Sequence, residues 1–153
     1  MIDRLKAWLA EGGKGAKEAA DELELAVAAL LFEAAEIDGR LDEAERMAVR
    51  RILERRFALD ETALGALVAA AEQRAERSTQ LFGTTQLINA GFPPAKRIEL
   101  IEMLWEVAYA DGALDPLEDA MVRRVAGLVD VSDHERGEAR LRVTRRLGGA
   151  EAS

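Results

Sequence analysis

The chain has 153 residues with 29 acidic and 21 basic side chains, a net charge of −8, so it is the length of one domain and repels phosphate backbones; nucleic acid is not an expected partner. Nearly half the residues are apolar and few are aromatic, which suits helices packed closely through Ala and Leu. The absence of cysteine excludes disulfides, thiol nucleophiles and zinc–thiolate sites, and no apolar run approaches the length of a transmembrane segment.

The first ten residues, MIDRLKAWLA, set Ile2, Leu5, Trp8 and Leu9 at helical spacing, and GGKG at 12–15 interrupts the pattern. Residues 1–15 therefore read as a short amphipathic helix on a glycine-rich tether. Two uses fit it: packing back on the domain, or a docking or membrane-surface element of weak affinity, since few positive charges accompany the stripe. Asp3, Arg4, Lys6 and Glu11 interrupt any signal-peptide core, so the expected location is cytoplasmic.

A long helix is expected from about Ala16 to Ile37, with Leu23, Ala26, Val27, Leu30, Leu31, Ala34 and Ile37 along its apolar stripe. Gly39 can end it in the left-handed conformation. Asp42 begins a helix that turns Met47, Val49, Ile52, Leu53 and Phe57 inward, and Asp60 caps another that runs to about Gln73 and buries Leu64, Leu67 and Val68. Ser78 or Thr79 caps a helix containing Leu81, Phe82, Leu87 and Ile88. Ala-Gly-Phe-Pro-Pro at 90–94 is a break, and Pro94 fits the first turn of a helix carrying Ile98, Ile101, Leu104, Trp105 and Ala108. Asp115-Pro116 starts the next, with Met121, Val122, Val125 and Leu128 inside. Ser132 caps the last, with Glu135 at the capping-box position; it buries Leu141, Val143 and Leu147, ends at Gly148-Gly149 and leaves residues 149–153 as a disordered tail. No alternating strand pattern occurs. The expected fold is all-α: one helical domain over residues 16–148, of about seven or eight helices.

One segment is written twice. LFEAAEIDGRLDEAERMAVRRI at 31–52 and LWEVAYADGALDPLEDAMVRRV at 104–125 align without a gap at an offset of 73, and half the positions are identical. Two copies imply a pseudo-symmetric domain rather than a repeat array. The shared core is D-G-x-L-D-x-x-E: Asp38, Gly39, Leu41, Asp42 and Glu45, then Asp111, Gly112, Leu114, Asp115 and Glu118.

Much of this core has a structural explanation. The glycines supply positive φ, the leucines plug the core beside the turn, Asp42 and Asp115 are N-caps, and Glu45 and Glu118 complete capping boxes. Asp38 and Asp111 are not explained this way, because an acid at a helix C-terminus opposes the macrodipole. Glu33 and Glu106 also recur, without a capping role. An EF-hand loop with Gly39 at position 6 would take Asp38, Asp42 and Glu45 as ligands, but its first position falls on Ala34, and in the second copy on Val107. Ordinary EF-hands are rejected. If the two acidic turns converge, they need a cation, protonation, or pairing with Arg40, Arg50, Arg51, Arg123 or Arg124, and oxygen-only donors favour Ca²⁺, Mg²⁺ or Mn²⁺, with Zn²⁺ less suited.

The run L-L-x-E-x-A-x-x-D-G-x-L-D-x-x-E, a helical middle, and R-I-E-L-I-E-M-L-W-E-V-A-Y-A-D-G-x-L-D-x-x-E resembles the tellurite-resistance TerB family over roughly residues 20–147, and is similar to the TerB-like domain of the membrane co-chaperone DjlA. The resemblance implies an all-helical fold, metal-binding acids at Glu33, Asp38, Asp42, Glu45, Glu106, Asp111, Asp115 and Glu118, and a scaffold or sensor in stress response rather than an enzyme. It also implies a protein partner in a membrane-associated complex; self-association into a homo-oligomer is a further option. The chain contains no J-domain or anchor, so co-chaperone activity is not carried over, and the missing cysteines argue against reduction or thiolate capture of tellurite.

Catalysis has little support. His134 is the single histidine and reads as an exposed first-turn residue, and no P-loop, dinucleotide or nucleophile-elbow motif occurs. The basic tract Arg136, Arg140, Arg142, Arg145 and Arg146 reads as a solvated helix face, or as a contact for an acidic partner or for another copy's acidic turns.

Overall fold

The computed structural model describes residues 14–37, 42–77, 81–110, 112 and 114–152. They form seven helices: α1 (Lys14–Ala35), α2 (Glu43–Phe57), α3 (Glu61–Arg77), α4 (Leu81–Gly91), α5 (Pro94–Ala108), α6 (Pro116–Leu128) and α7 (Asp133–Ala152), with no strand among the described residues. The expected helix over residues 1–10 and the caps at Ser78 or Thr79 lie outside the described residues.

The helix starts are where local chemistry places them. Asp42, Asp60 and Ser132 accept from the backbone N–H three residues on, at Glu45, Ala63 and Glu135. Asp115 accepts from Leu117 N, two residues on. Glu135 Oε1 accepts in return from Ser132 N at 3.0 Å, a complete capping box that satisfies two N–H groups left over at a helix start. Pro94 and Pro116 sit in first turns, where a missing N–H is harmless.

α1 is the centre of the molecule. Ala26 to Phe32 are buried in unbroken succession, with Ala34 and Ala35 beyond them, so the helix has no solvent-facing side through this stretch. α2 to α6 all pack against it. Small Ala28 and Ala29 let the neighbouring helices approach on the side that an amphipathic helix would give to water. Around α1 the core is filled by Leu53, Leu64, Ile88, Leu100, Ile101, Leu104 and Trp105. Trp105 Nε1 donates to Arg136 O at 3.2 Å, which gives the buried indole N–H a partner and ties α5 to α7. Arg97 donates from Nε to Phe92 O and from Nη1 to Val129 O, and Asn89 reaches Leu128 O, so the C-terminal carbonyls of α4 and α6 are held together.

Several expectations need correction. Lys14 and Gly15 belong to α1 rather than to a tether, and α1 ends at Ala35, leaving Ile37 exposed. Met47, Leu141 and Leu147 point outward, whereas Val49, Ile52, Leu53 and Val143 are buried as expected, joined by the small Ala48 and Ala139. α3 continues to Arg77, past Gln73. α7 runs through Gly148 and Gly149 to Ala152 in place of the expected tail from 149; a helical glycine costs about 1 kcal/mol relative to alanine and need not end a helix.

α2 ends on Ala58 in the left-handed conformation, φ 51°. α6 ends with Asp130 at φ 58°, and Val131 N donates back to Ala126 O at 2.8 Å, closing a Schellman-type cap over buried Val131.

Candidate functional site

The two acidic turns join α1 to α2 and α5 to α6. In the second, Gly112 adopts φ 90°, the conformation glycine alone adopts without strain, and its N–H donates to Tyr109 O. Leu114 packs against the core beside it. Asp42 and Asp115 occupy equivalent extended cap positions, with φ of −83° and −80°, so each commits one carboxylate oxygen to a backbone amide. Three residues further on, Glu45 and Glu118 are both only 6 % exposed. Glu33, two residues before the end of α1, is half-buried. Asp38, Asp111, Gly39 and Leu41 lie outside the described residues.

Glu106, the counterpart of Glu33, sits among arginines. Its oxygens accept from Arg56 Nη2 at 2.8 Å, from Arg146 Nη2 at 3.2 Å and from Arg55 Nη2. One turn earlier on α5, Glu102 accepts from Arg142 Nε at 3.1 Å, Arg146 Nη2 at 3.2 Å and Arg56 Nη2 at 3.5 Å. Three helices converge here: α2 supplies Arg55 and Arg56, α5 both carboxylates, α7 Arg142 and Arg146. The carboxylates form the inner layer, with side chains 12 % and 11 % exposed, and Arg55, Arg142 and Arg146 the outer one at 63 %, 45 % and 52 %. Burial opposes the charge of Arg56, but hydrogen bonds and charge from Glu106 and Glu102 outweigh it and hold the guanidinium above its ordinary pKa. Next to this cluster, Arg140 lies over the rings of Trp105 and Tyr109 at 5.5 and 5.8 Å and donates to Tyr109 Oη at 2.7 Å.

Sequence reasoning missed Glu102, Arg55 and Arg56. The available signal is spacing: Glu102 and Glu106, like Arg142 and Arg146, are four apart and so share a helix face. His134 is exposed in the first turn of α7, as expected, and faces Glu138 at 2.8 Å. Among the described residues no three His, Cys, Asp or Glu side chains converge as a metal-binding group. The donor chemistry of the turns is oxygen only, which suits hard cations, while Asp42, Asp115 and Glu106 already have protein partners. No helix among the described residues is long and apolar enough to cross a membrane.

Comparison with known proteins gives one family: the model described as tellurite resistance protein TerB matches residues 24–141, from α1 into α7 and ending just before Arg142 and Arg146. No curated protein and no solved structure matches.

Proposed function

This chain belongs to the TerB family, and from that premise we propose that it is a noncatalytic helical scaffold of the tellurite-resistance type, acting in stress response, whose acidic turns respond to a divalent cation. The observation that carries the reading is the matched placement of Glu45 and Glu118. Seventy-three residues apart, they stand at the same point of two helix starts and are equally buried. Two carboxylates held in register at the acidic turns offer oxygen donors of the kind that hard cations take. The residues that would hold the ion are Glu33, Asp38, Asp42 and Glu45 at the first turn and Asp111, Asp115 and Glu118 at the second. Ca²⁺, Mg²⁺ and Mn²⁺ match their oxygen donors better than Zn²⁺.

The test is calorimetric titration of the whole chain with each ion, paired with thermal unfolding. An ion that binds the folded state at a hundred times its Kd stabilises by about 2.7 kcal/mol. The effect should disappear in the Glu45→Gln, Glu118→Gln double variant. If no ion at millimolar concentration gives heat or a shift in melting, the cation reading is lost.

A second reading then stands, favoured by the hydrogen bonds of Asp42 and Asp115 to backbone amides. In it the module binds proteins without metal and the repeated acids are helix caps. An enzymatic role has less support, since the single histidine is exposed at a helix start and faces Glu138.

A further inference from the structure

We propose that Arg55, Arg142 and Arg146 form a docking surface for an acidic peptide segment of a protein partner. The layering of the cluster supports this. Four guanidinium groups surround two carboxylates, and the carboxylates lie beneath, so the face presented to solvent is cationic. Glu138, 4.0 Å from Arg142 and shared with His134, offsets part of the excess without cancelling it. Each guanidinium has five N–H donors and each carboxylate about four acceptor sites, so the donors outnumber what Glu102 and Glu106 can accept. Arg55, Arg142 and Arg146 are each about half exposed or more, so spare donors on these three are open to solvent while each guanidinium is already anchored to a carboxylate. Much of the entropy cost of ordering arginines has thus been met before any ligand arrives.

The rest of the molecule selects the ligand. With a net charge of −8 the chain repels extended polyanions such as duplex DNA or an anionic bilayer. A short acidic segment meets only the local patch, because screening confines the rest of the field to about 8 Å at physiological salt. Paired Asp or Glu carboxylates match the planar guanidinium fork, which binds them through two parallel hydrogen bonds. This surface is separate from the acidic turns, so it stands or falls independently of cation binding.

The experiment is fluorescence anisotropy with a labelled hexaglutamate peptide and a hexaglutamine control, using the whole chain. Hexaglutamate should bind, hexaglutamine should not, and affinity should fall about tenfold between low salt and several hundred millimolar. Arg55→Gln with Arg146→Gln should weaken binding by about tenfold or more, the equivalent of one charge-assisted hydrogen bond, whereas Arg123→Gln on α6 should leave it within about twofold. The wild-type salt dependence keeps the test decisive if the double variant unfolds. The proposal is overturned by equal binding of both peptides, by salt-insensitive binding, or by a folded double variant that binds like wild type. Tighter binding of duplex DNA or anionic vesicles would also overturn it, as would loss of self-association as the main effect of the double variant.

Discussion

Glu106 on α5 accepts a hydrogen bond from Arg56 at the end of α2, 2.8 Å away, with less than a fifth of either side chain exposed. Fifty residues of chain separate them, so the contact is purely tertiary. Glu106→Ala would leave the guanidiniums of Arg55, Arg56 and Arg146 facing one another with one counterion fewer. It should cost about 2–3 kcal/mol, somewhat below the penalty for breaking a fully buried pair. Arg55→Ala, on the exposed rim, should cost less than about 1 kcal/mol. Urea denaturation of both variants checks the ranking; equal costs would refute the inner role of Glu106.

Ala58 and Asp130 hold left-handed backbone at φ 51° and 58°. Glycine adopts this conformation without the clash a Cβ brings. Ala58→Gly should therefore stabilise by about 1 kcal/mol, a rise in Tm of about 3 °C for a chain this size. Asp130→Gly should gain less, since Asp tolerates this region better than Ala. Thermal unfolding followed by circular dichroism measures both, and a drop in Tm for Ala58→Gly would contradict the cap geometry.

Gly91 ends α4 against the side chain of Leu23. A Cβ added there would lie 2.6 and 2.7 Å from the two Leu23 methyl carbons. Gly91→Ala should destabilise by about 1–3 kcal/mol through overpacking. Leu23→Ala should cost less in that background than in the wild type, because it clears the clash it also unpacks. A double-mutant cycle in urea tests the pair, and strict additivity would disprove the contact.

Two carboxylates give opposite pH dependences. Hydrogen bonds from the Ser132 backbone and hydroxyl hold Glu135 below its ordinary pKa. Its contribution is present above the ordinary carboxylate range and is lost as pH falls through the lowered value. Glu135→Gln should lower stability at pH 7 and make little difference in acid, where the wild-type carboxyl is itself neutral. For Glu24, burial and then the charge of Asp21 push the pKa up. Its ionised form opposes folding, so a penalty develops as pH rises through the carboxylate range. Glu24→Gln should stabilise by less than about 1 kcal/mol at pH 7 and by nothing near pH 3. Denaturation across pH 3–7 reads both, and a pH-independent gain for Glu24→Gln would rule out the electrostatic cause.

The fold was most legible where structure depends on neighbours three or four residues away. Asp42, Asp60, Asp115 and the Ser132–Glu135 box announce helix starts because the hydrogen bonds they make are local. The edges of the buried faces were less legible. Met47 and Leu141 look like core residues, yet they stay outside while the small Ala48 and Ala139 are buried, a choice set by how closely the neighbouring helices approach. Of the proposed site, the caps and the left-handed Gly112 could be read in advance. The surroundings of Glu106 could not, because α7 is forty residues away in sequence and its arrival beside α5 depends on packing around Trp105 and Ala139.

The enclosure of α1 has a kinetic consequence. A helix covered on every side cannot detach while its neighbours stay in place, so its amides from Ala26 to Phe32 can exchange with solvent only when the whole domain opens. They should be the slowest in the protein, with protection equal to the global unfolding free energy. Motion that transmits a bound ion or partner should then run around this axis, through the periphery of α2, α6 and α7, while the enclosed stretch of α1 stays still.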